Sequence, residues 1–187
     1  MTEIVDHRRT HPADRHSRLA LWMSGITLGG IVLAVGATLW VWTDRQLVES
    51  LLAPHLGLAG RPLTVTPGVQ LAGLALSAPP LALLVYLLMQ ARAVFRGFAS
   101  GLRFTDLVAI RIARIGWILV AKGCLMPFWR AAAGVVLTLG NPQGQRFLAI
   151  GISGDDILWA IVGALLIAIG WTLREAARIA EENASFI

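Results

Sequence analysis

Long stretches without charged residues are the feature that most constrains the fold of this chain. A transmembrane helix needs about 20 mostly apolar residues. The stretches that reach or approach this length are residues 19–42, 69–90, 115–139 and 157–173. All of them are uncharged except the third, which contains Lys122 and Arg130. The pattern predicts an all-α membrane protein whose four transmembrane helices form a single domain, residues 19–187.

The composition agrees with a membrane protein and gives no sign of a catalytic or metal centre. Hydrophobic residues make up 56% of the chain and charged residues 14%, whereas about a quarter of the residues in soluble domains are charged. The single cysteine excludes an internal disulfide, and no cysteine–histidine spacing typical of a metal site occurs. No catalytic triad, phosphate-binding loop or carboxylate pair is visible in the sequence. We therefore expect no enzyme activity, no metal and no cofactor.

The basic residues outside the apolar stretches predict the orientation of the chain. Residues 1–18, 91–114 and 174–187 contain four, five and two arginines, whereas residues 43–68 and 140–156 contain two and one. Cytoplasmic loops of membrane proteins carry the excess of lysine and arginine. Both termini and the loop 91–114 are thus predicted to be cytoplasmic. Residues 1–18 form a basic tail that we expect to be disordered.

The stretch FRGFASGLRFTDLVAIRIARIGW, residues 95–117, combines arginines with aromatic residues. Arginines near anionic headgroups gain about 1 kcal/mol each, which accounts for this charge without nucleic acid. We expect no direct contact with nucleic acid. Gly97 and Gly101 predict a turn. Thr105 is expected to cap a helix that begins at Asp106, which we interpret as a short interfacial helix continuing into residues 115–139.

This stretch and the chain end REAARIAEENASFI, residues 174–187, resemble the four-span bacterial membrane family known as domain of unknown function 2975. The residues that carry the resemblance are Gly101, Phe104, Thr105, Gly116, Trp117, Glu181, Glu182, Asn183, Phe186 and Ile187. The resemblance covers most of residues 69–187 and implies a multi-pass protein of the bacterial inner membrane. Members of the family often occur beside a small soluble helix-turn-helix regulator. The resemblance therefore implies a role in membrane-linked transcriptional control.

A cytoplasmic partner surface is predicted where the central loop meets the C-terminal tail. Its candidate residues are Arg103, Phe104, Thr105, Arg111, Arg114, Glu181, Glu182 and Asn183. We expect Glu181 and Glu182 to pair with Arg111 or Arg114 across this surface. The functional interpretation is a regulatory or interaction module that docks a soluble partner. The structural interpretation is that the pairs close the cytoplasmic end of the bundle.

Lys122, Trp129 and Arg130 form the second candidate site, since they lie on one side of a helix at 100° per residue. Arg130 is near the middle of residues 115–139, where a charge costs at least about 2.5 to 3.5 kcal/mol. One interpretation is structural, through snorkelling or bonds between helices. The other is that these residues handle a ligand or an ion. On that interpretation the alternative function is a small oligomeric transporter or channel in which Arg130 handles an anion.

Two sets of groups are candidate partners for Arg130. Pro79 and Pro80 leave the carbonyl groups one turn earlier, those of Ala75 and Leu76, without amide donors. These carbonyl oxygens are hydrogen-bond acceptors inside the membrane. The alternative is a carboxylate at the start of the last stretch, either Asp155 or Asp156, which requires a shorter third span.

Small residues in the first and last stretches predict close contacts between helices. Gly25 and Gly29 form a GxxxG pair followed by Gly36, and Gly163 and Gly170 are seven residues apart. Such residues let helices approach closely, within one bundle or between two copies of a chain. For a four-span chain we favour contacts within the bundle and keep a homo-oligomer as the alternative.

Tryptophans near the predicted span ends are interpreted as anchors in the headgroup region. They are Trp22, Trp40, Trp42, Trp117, Trp159 and Trp171. Trp129 is the exception, because it lies inside the third stretch.

Overall fold

The computed structural model describes residues 12–55, 63–99, 106–142 and 151–184. Its elements in chain order are α1 (Pro12–Thr43), α2 (Arg45–Leu47), a π-helical turn (Val48–Leu52), α3 (Ala53–His55), α4 (Pro67–Ala99), α5 (Asp106–Thr138) and α6 (Gly154–Ala184). No strand occurs among the described residues, and the all-α prediction is confirmed.

Three of the four long helices are long and apolar enough to cross a membrane. These candidate spans are Arg18–Thr43, Pro67–Ala99 and Gly154–Asn183, and they contain three of the predicted stretches. They support a multi-pass membrane protein. Helix α5 is also 33 residues long, but it is not among the candidate spans. Its interior contains Lys122 and Arg130.

Two of the long helices, α4 and α5, each have two long helices as neighbours. Helix α5 packs against both α4 and α6, and α4 also packs against α1. All four long helices carry large exposed apolar side chains, such as Leu33 of α1 with 73% and Leu71 of α4 with 70% of its surface accessible. Exposed apolar patches of this kind mark surfaces that contact lipid or a partner. Among the described residues, α5 has more buried residues than any other long helix, while apolar side chains of all four helices face outward.

A seam of small residues joins α5 to α6. A Cβ atom added at Gly163 would lie 2.6 Å from the carbonyl oxygen of Gly116 and 2.8 Å from the amide nitrogen of Val120. An added Cβ at Gly170 would meet the backbone of α5 at Ala109 and Ala113. The prediction that Gly163 and Gly170 allow close helix contact is confirmed.

The corresponding prediction for α1 is wrong within this chain. Cβ atoms added at Gly25, Gly29 and Gly36 would meet nothing within 4 Å. Helix α1 turns a different face to α4, where Gly30 lies beside Leu88. The spacing of small residues alone does not determine which face of a helix is covered.

Several predicted boundaries differ from the structure. The predicted loop 91–114 is largely helical, because α4 continues through Ala99 and α5 begins at Asp106. Gly97 is therefore helical, whereas Gly101 and Thr105 are outside the described residues. Charged residues end an apolar stretch without ending a helix, since arginine is a good helix former.

Part of the predicted disordered tail is also helical. Helix α1 begins at Pro12, so residues 12–18 belong to it. Proline suits the first turn of a helix, because its missing amide would have no partner there. Residues 1–11 lie outside the described residues.

Candidate functional site

The charge of Arg130 is paired. Its guanidinium group donates to both carboxylate oxygens of Asp156, with Nη1 3.2 Å from Oδ1, and Nη2 donates to the carbonyl oxygen of Gly151 at 3.0 Å. The Asp156 side chain is only 5% exposed and that of Arg130 is 21% exposed. The sequence offered two sets of partners for Arg130, the carbonyl groups before the prolines of α4 and a carboxylate at the start of α6. In the structure the partner is the carboxylate. Arg130 thus lies opposite the first turn of α6 rather than in the middle of the bundle.

The same carboxylate caps α6. The backbone amide of Ser153 donates to Asp156 Oδ2 at 2.8 Å, and the Ser153 hydroxyl accepts from the Asp156 amide at 3.3 Å. This reciprocal arrangement is a capping box, with aspartate in place of the usual glutamate or glutamine. The sequence Ser-Gly-Asp-Asp contains the spacing of this box, which is a signal that sequence reasoning missed. Asp156 therefore links the start of α6 to α5.

Trp129 takes the partner that the sequence suggested for Arg130. Its indole Nε1 donates to the carbonyl oxygen of Leu76 at 2.8 Å. Pro80, four residues after Leu76, has no amide hydrogen and leaves that carbonyl without its helical donor. A side chain of α5 thus satisfies a carbonyl group that proline has released in α4. The acceptor was predicted correctly and the donor was not.

Trp42 is buried, so its interpretation as an interfacial anchor is wrong. Only 8% of its surface is accessible, and its Nε1 donates to the Ser77 hydroxyl at 3.0 Å. Its ring occupies the space left by the missing side chain of Gly73. Trp22, with 74% of its surface accessible, is exposed as the anchor interpretation requires.

The end of the bundle around Trp42 is covered by chain segments, and we call it the capped end. Its core consists of Trp42, Val48, Val65, Val69, Ala133 and Leu137. Val48 of the π-helical turn is fully buried there. The amide of Thr64 donates to the side-chain oxygen of Asn141 at 2.9 Å, which ties the segment before α4 to the end of α5.

Lys122 makes a different contact from Arg130. Its Nζ atom lies 4.0 Å from the centroid of the Trp159 ring of α6, in a cation–π arrangement. Between α1, α4 and α5 is a partly open cavity of about 650 Å³, lined by Lys122, Trp129 and Trp159 among mostly apolar side chains. The three predicted intramembrane polar residues thus divide into two groups. Arg130 holds α6, whereas Lys122 and Trp129 face the cavity.

Charged side chains concentrate at the opposite end, which we call the polar end and define by Asp106, Arg174 and Arg178. Arg174 Nε donates to Asp106 Oδ1 at 2.9 Å, which joins the start of α5 to α6. Arg178 pairs with Glu175 and, through Nη1 at 2.7 Å, with Glu182. A cleft of about 480 Å³ is lined by Asp106, Trp171, Arg174, Glu175, Ala177, Arg178 and Glu181. The polar end therefore combines both signs of charge beside an exposed tryptophan.

The predicted pairing of Glu181 and Glu182 with Arg111 or Arg114 is not found. Gly170 packs against α5 at the level of Ala109 and Ala113, between which Arg111 lies. Glu181 is eleven residues farther along α6, which is about 16 Å along the helix axis. Glu182 pairs with Arg178 on its own helix instead.

The predicted partner surface is therefore only partly brought together. Glu181, Glu182 and Asn183 are exposed at the end of α6, and Arg114 is exposed on α5 at a different level. Arg111 is half-buried. The remaining predicted members, Arg103, Phe104 and Thr105, lie outside the described residues. The residues that reasoning from the sequence missed are Asp106 and Arg174, whose bridge depends on the register between α5 and α6.

No protein-family model, curated protein or solved structure matches this chain. The resemblance to domain of unknown function 2975 stays a prediction.

Proposed function

We propose that this chain is a four-span protein of the bacterial inner membrane, with α5 as the third span and both termini in the cytoplasm. Two observations support a crossing by α5. It is flanked by α4 and α6, and its interior charge at Arg130 is neutralised by Asp156. A charged residue that is paired and has protein neighbours meets the conditions under which such residues occur inside membranes. The arginine asymmetry supports this orientation, in which the polar end would be cytoplasmic.

The function that we propose is a membrane-anchored interaction module whose docking surface for a soluble protein is the polar end. The observation that carries it is the cleft between the start of α5 and the end of α6, with Arg174, Arg178 and Glu181 around Trp171. Mixed charges around an aromatic residue suit an interface, because aromatic and arginine side chains contribute most at interface centres. We propose binding rather than catalysis.

The partner that we propose is a small soluble helix-turn-helix regulator, as the family resemblance implies. Binding at the cytoplasmic surface would hold such a regulator at the membrane and away from its operator. Membership in domain of unknown function 2975 is part of this proposal. The charged rim of the cleft would steer association, so binding should weaken as the salt concentration rises.

Site-specific crosslinking in intact cells tests the proposal. A photoreactive residue in place of exposed Glu181 should capture one discrete soluble protein, and the same residue in place of exposed Glu49 should not. Arg178→Glu should reduce the adduct at position 181, whereas Arg45→Glu at the other end should leave it unchanged. Identical adducts from both positions, or none from position 181, would contradict the proposal.

The alternative function, a small oligomeric transporter or channel, has less support from the geometry. Arg130 was the residue proposed to handle an anion, and its guanidinium group is already bonded to Asp156 and Gly151. We expect vesicles containing the protein to pass chloride no faster than protein-free vesicles. A chloride flux that Arg130→Leu abolishes would favour the alternative over the interaction module.

A further inference from the structure

The cavity between α1, α4 and α5 has the size and shape of a ligand site. Its volume of about 650 Å³ falls within the range of roughly 300 to 1,000 Å³ that is typical of small-molecule sites. Along α5 its lining extends from Ile115 to Trp129, which is about 21 Å at 1.5 Å per residue. One leaflet of hydrocarbon is about 15 Å deep, so the cavity can accommodate a lipid chain.

The walls of the cavity are apolar with one charged exception. Leu81, Leu84 and Leu87 of α4 and Met126 of α5 are among its apolar lining residues. Most polar lining groups are engaged in the protein, since the Ser77 hydroxyl donates to Gly73 and the Trp129 indole to Leu76. Among the described residues that line the cavity, Lys122 is the only charged one.

Lys122 is positioned to bind an anion. Its Nζ atom rests on the face of Trp159, and no carboxylate in the described part of the chain forms an ion pair with it. Asp155 and Asp156 at the start of α6 attract Lys122 electrostatically without forming an ion pair with it, and Asp156 is already bonded to Arg130 and Ser153. An ammonium group in apolar surroundings gains most from a ligand that brings a negative charge.

We propose that this cavity binds one single-chain amphiphile with an anionic headgroup. The headgroup accepts hydrogen bonds from Lys122, and the acyl chain lies along the leucines of α4. The partly open side of the cavity lets the chain enter sideways from the bilayer. A carboxylate and a phosphate both provide the required chemistry, as in a fatty acid or a lysophospholipid. The inference does not depend on the partner surface at the polar end.

Tryptophan quenching by brominated amphiphiles tests the site, because Trp42, Trp129 and Trp159 line the cavity. The protein is placed in phosphatidylcholine nanodiscs and titrated with brominated palmitic acid, brominated lysophosphatidylglycerol and brominated hexadecanol. We expect saturable quenching by at least one anionic probe and an affinity at least tenfold weaker for the alcohol. A tenfold difference in affinity corresponds to about 1.4 kcal/mol, which one charge-assisted hydrogen bond can supply.

Two variants identify the site of binding. Lys122→Met should lower the affinity for the anionic probe about tenfold and leave the affinity for the alcohol unchanged. Lys122→Arg should retain the preference for the anionic probe. Leu84→Trp, which fills the cavity, should weaken both probes. Equal affinity for anions and alcohol in the unmodified protein, or quenching that never saturates, would overturn the proposal without any variant. Binding of only one of the two anionic probes would show whether the ligand is a fatty acid or a lysophospholipid.

Discussion

Replacing Arg130 by leucine should destabilise the bundle by about 3 kcal/mol. Removing one partner of a buried ion pair costs about 3 to 5 kcal/mol, because the other charge stays buried without compensation. The lower end applies here for two reasons. The Arg130 side chain is 21% exposed, and Asp156 would keep its hydrogen bond from the Ser153 amide.

A double-mutant cycle separates the pair from the other effects of the substitution. Asp156→Asn retains an oxygen that can cap α6, so its main effect is the loss of the negative charge. We expect Asp156→Asn alone to cost about 2 to 3 kcal/mol, because the charge of Arg130 then loses its partner. The double variant, Arg130→Leu with Asp156→Asn, should lose no more stability than Arg130→Leu alone, because no buried charge is left without its partner. The coupling energy should then be at least about 2 to 3 kcal/mol, well above the mean of about 0.6 kcal/mol for hydrogen bonds between membrane helices.

The free energy of unfolding can be measured by titrating the protein from mild detergent micelles with dodecyl sulfate while following circular dichroism. Arg178→Leu is the matched control, because Arg178 is also paired with carboxylates but its side chain is 58% exposed. We expect no measurable change for it, since exposed ion pairs contribute little. Additive effects at Arg130 and Asp156, or a loss at Arg130 no larger than at Arg178, would refute the reasoning.

Two further predictions concern contacts between helices. Gly163→Ala should destabilise the protein by about 1 to 3 kcal/mol, because the new methyl group overlaps the backbone of α5, whereas Gly25→Ala should be tolerated. The two variants can be compared by thermal unfolding in detergent. Equal melting temperatures would contradict the packing of α5 against α6. Trp129→Phe should cost about 1 kcal/mol through the lost bond to Leu76. Trp129→Phe should cost less in a Pro80→Ala background, where the amide of residue 80 can donate to the Leu76 carbonyl. An unchanged cost in that background would show that the Trp129 bond does not replace the missing helical hydrogen bond.

The helices themselves were predictable, because a long apolar stretch has few possible structures other than a helix. The ends of the helices were harder to predict, since the arginines of residues 91–96 are compatible with helix and α4 continues through them. The pairing of Arg130 could be narrowed to carbonyl groups or a carboxylate, but the choice depends on the register of α5 against α6. That register is set by the contact of Gly163 with Gly116, which periodicity alone does not specify.

The burial of Trp42 and the position of the cavity were not predictable from local sequence. A tryptophan at the end of an apolar stretch is usually an anchor, and only the absence of a side chain at Gly73 makes room for its ring. The cavity is lined by residues of α1, α4 and α5 that lie far apart in the chain. Both features come from pairs of residues more than thirty positions apart in the chain.

Reporter fusions on either side of α5 test the central claim, that this helix crosses the bilayer as the shielded third span. A fusion after residue 100 should behave as cytoplasmic, and a fusion after residue 148 should behave as extracytoplasmic. If both fusions report the same side, α5 does not cross. The four-span arrangement would then be wrong, and with it the orientation of the polar end.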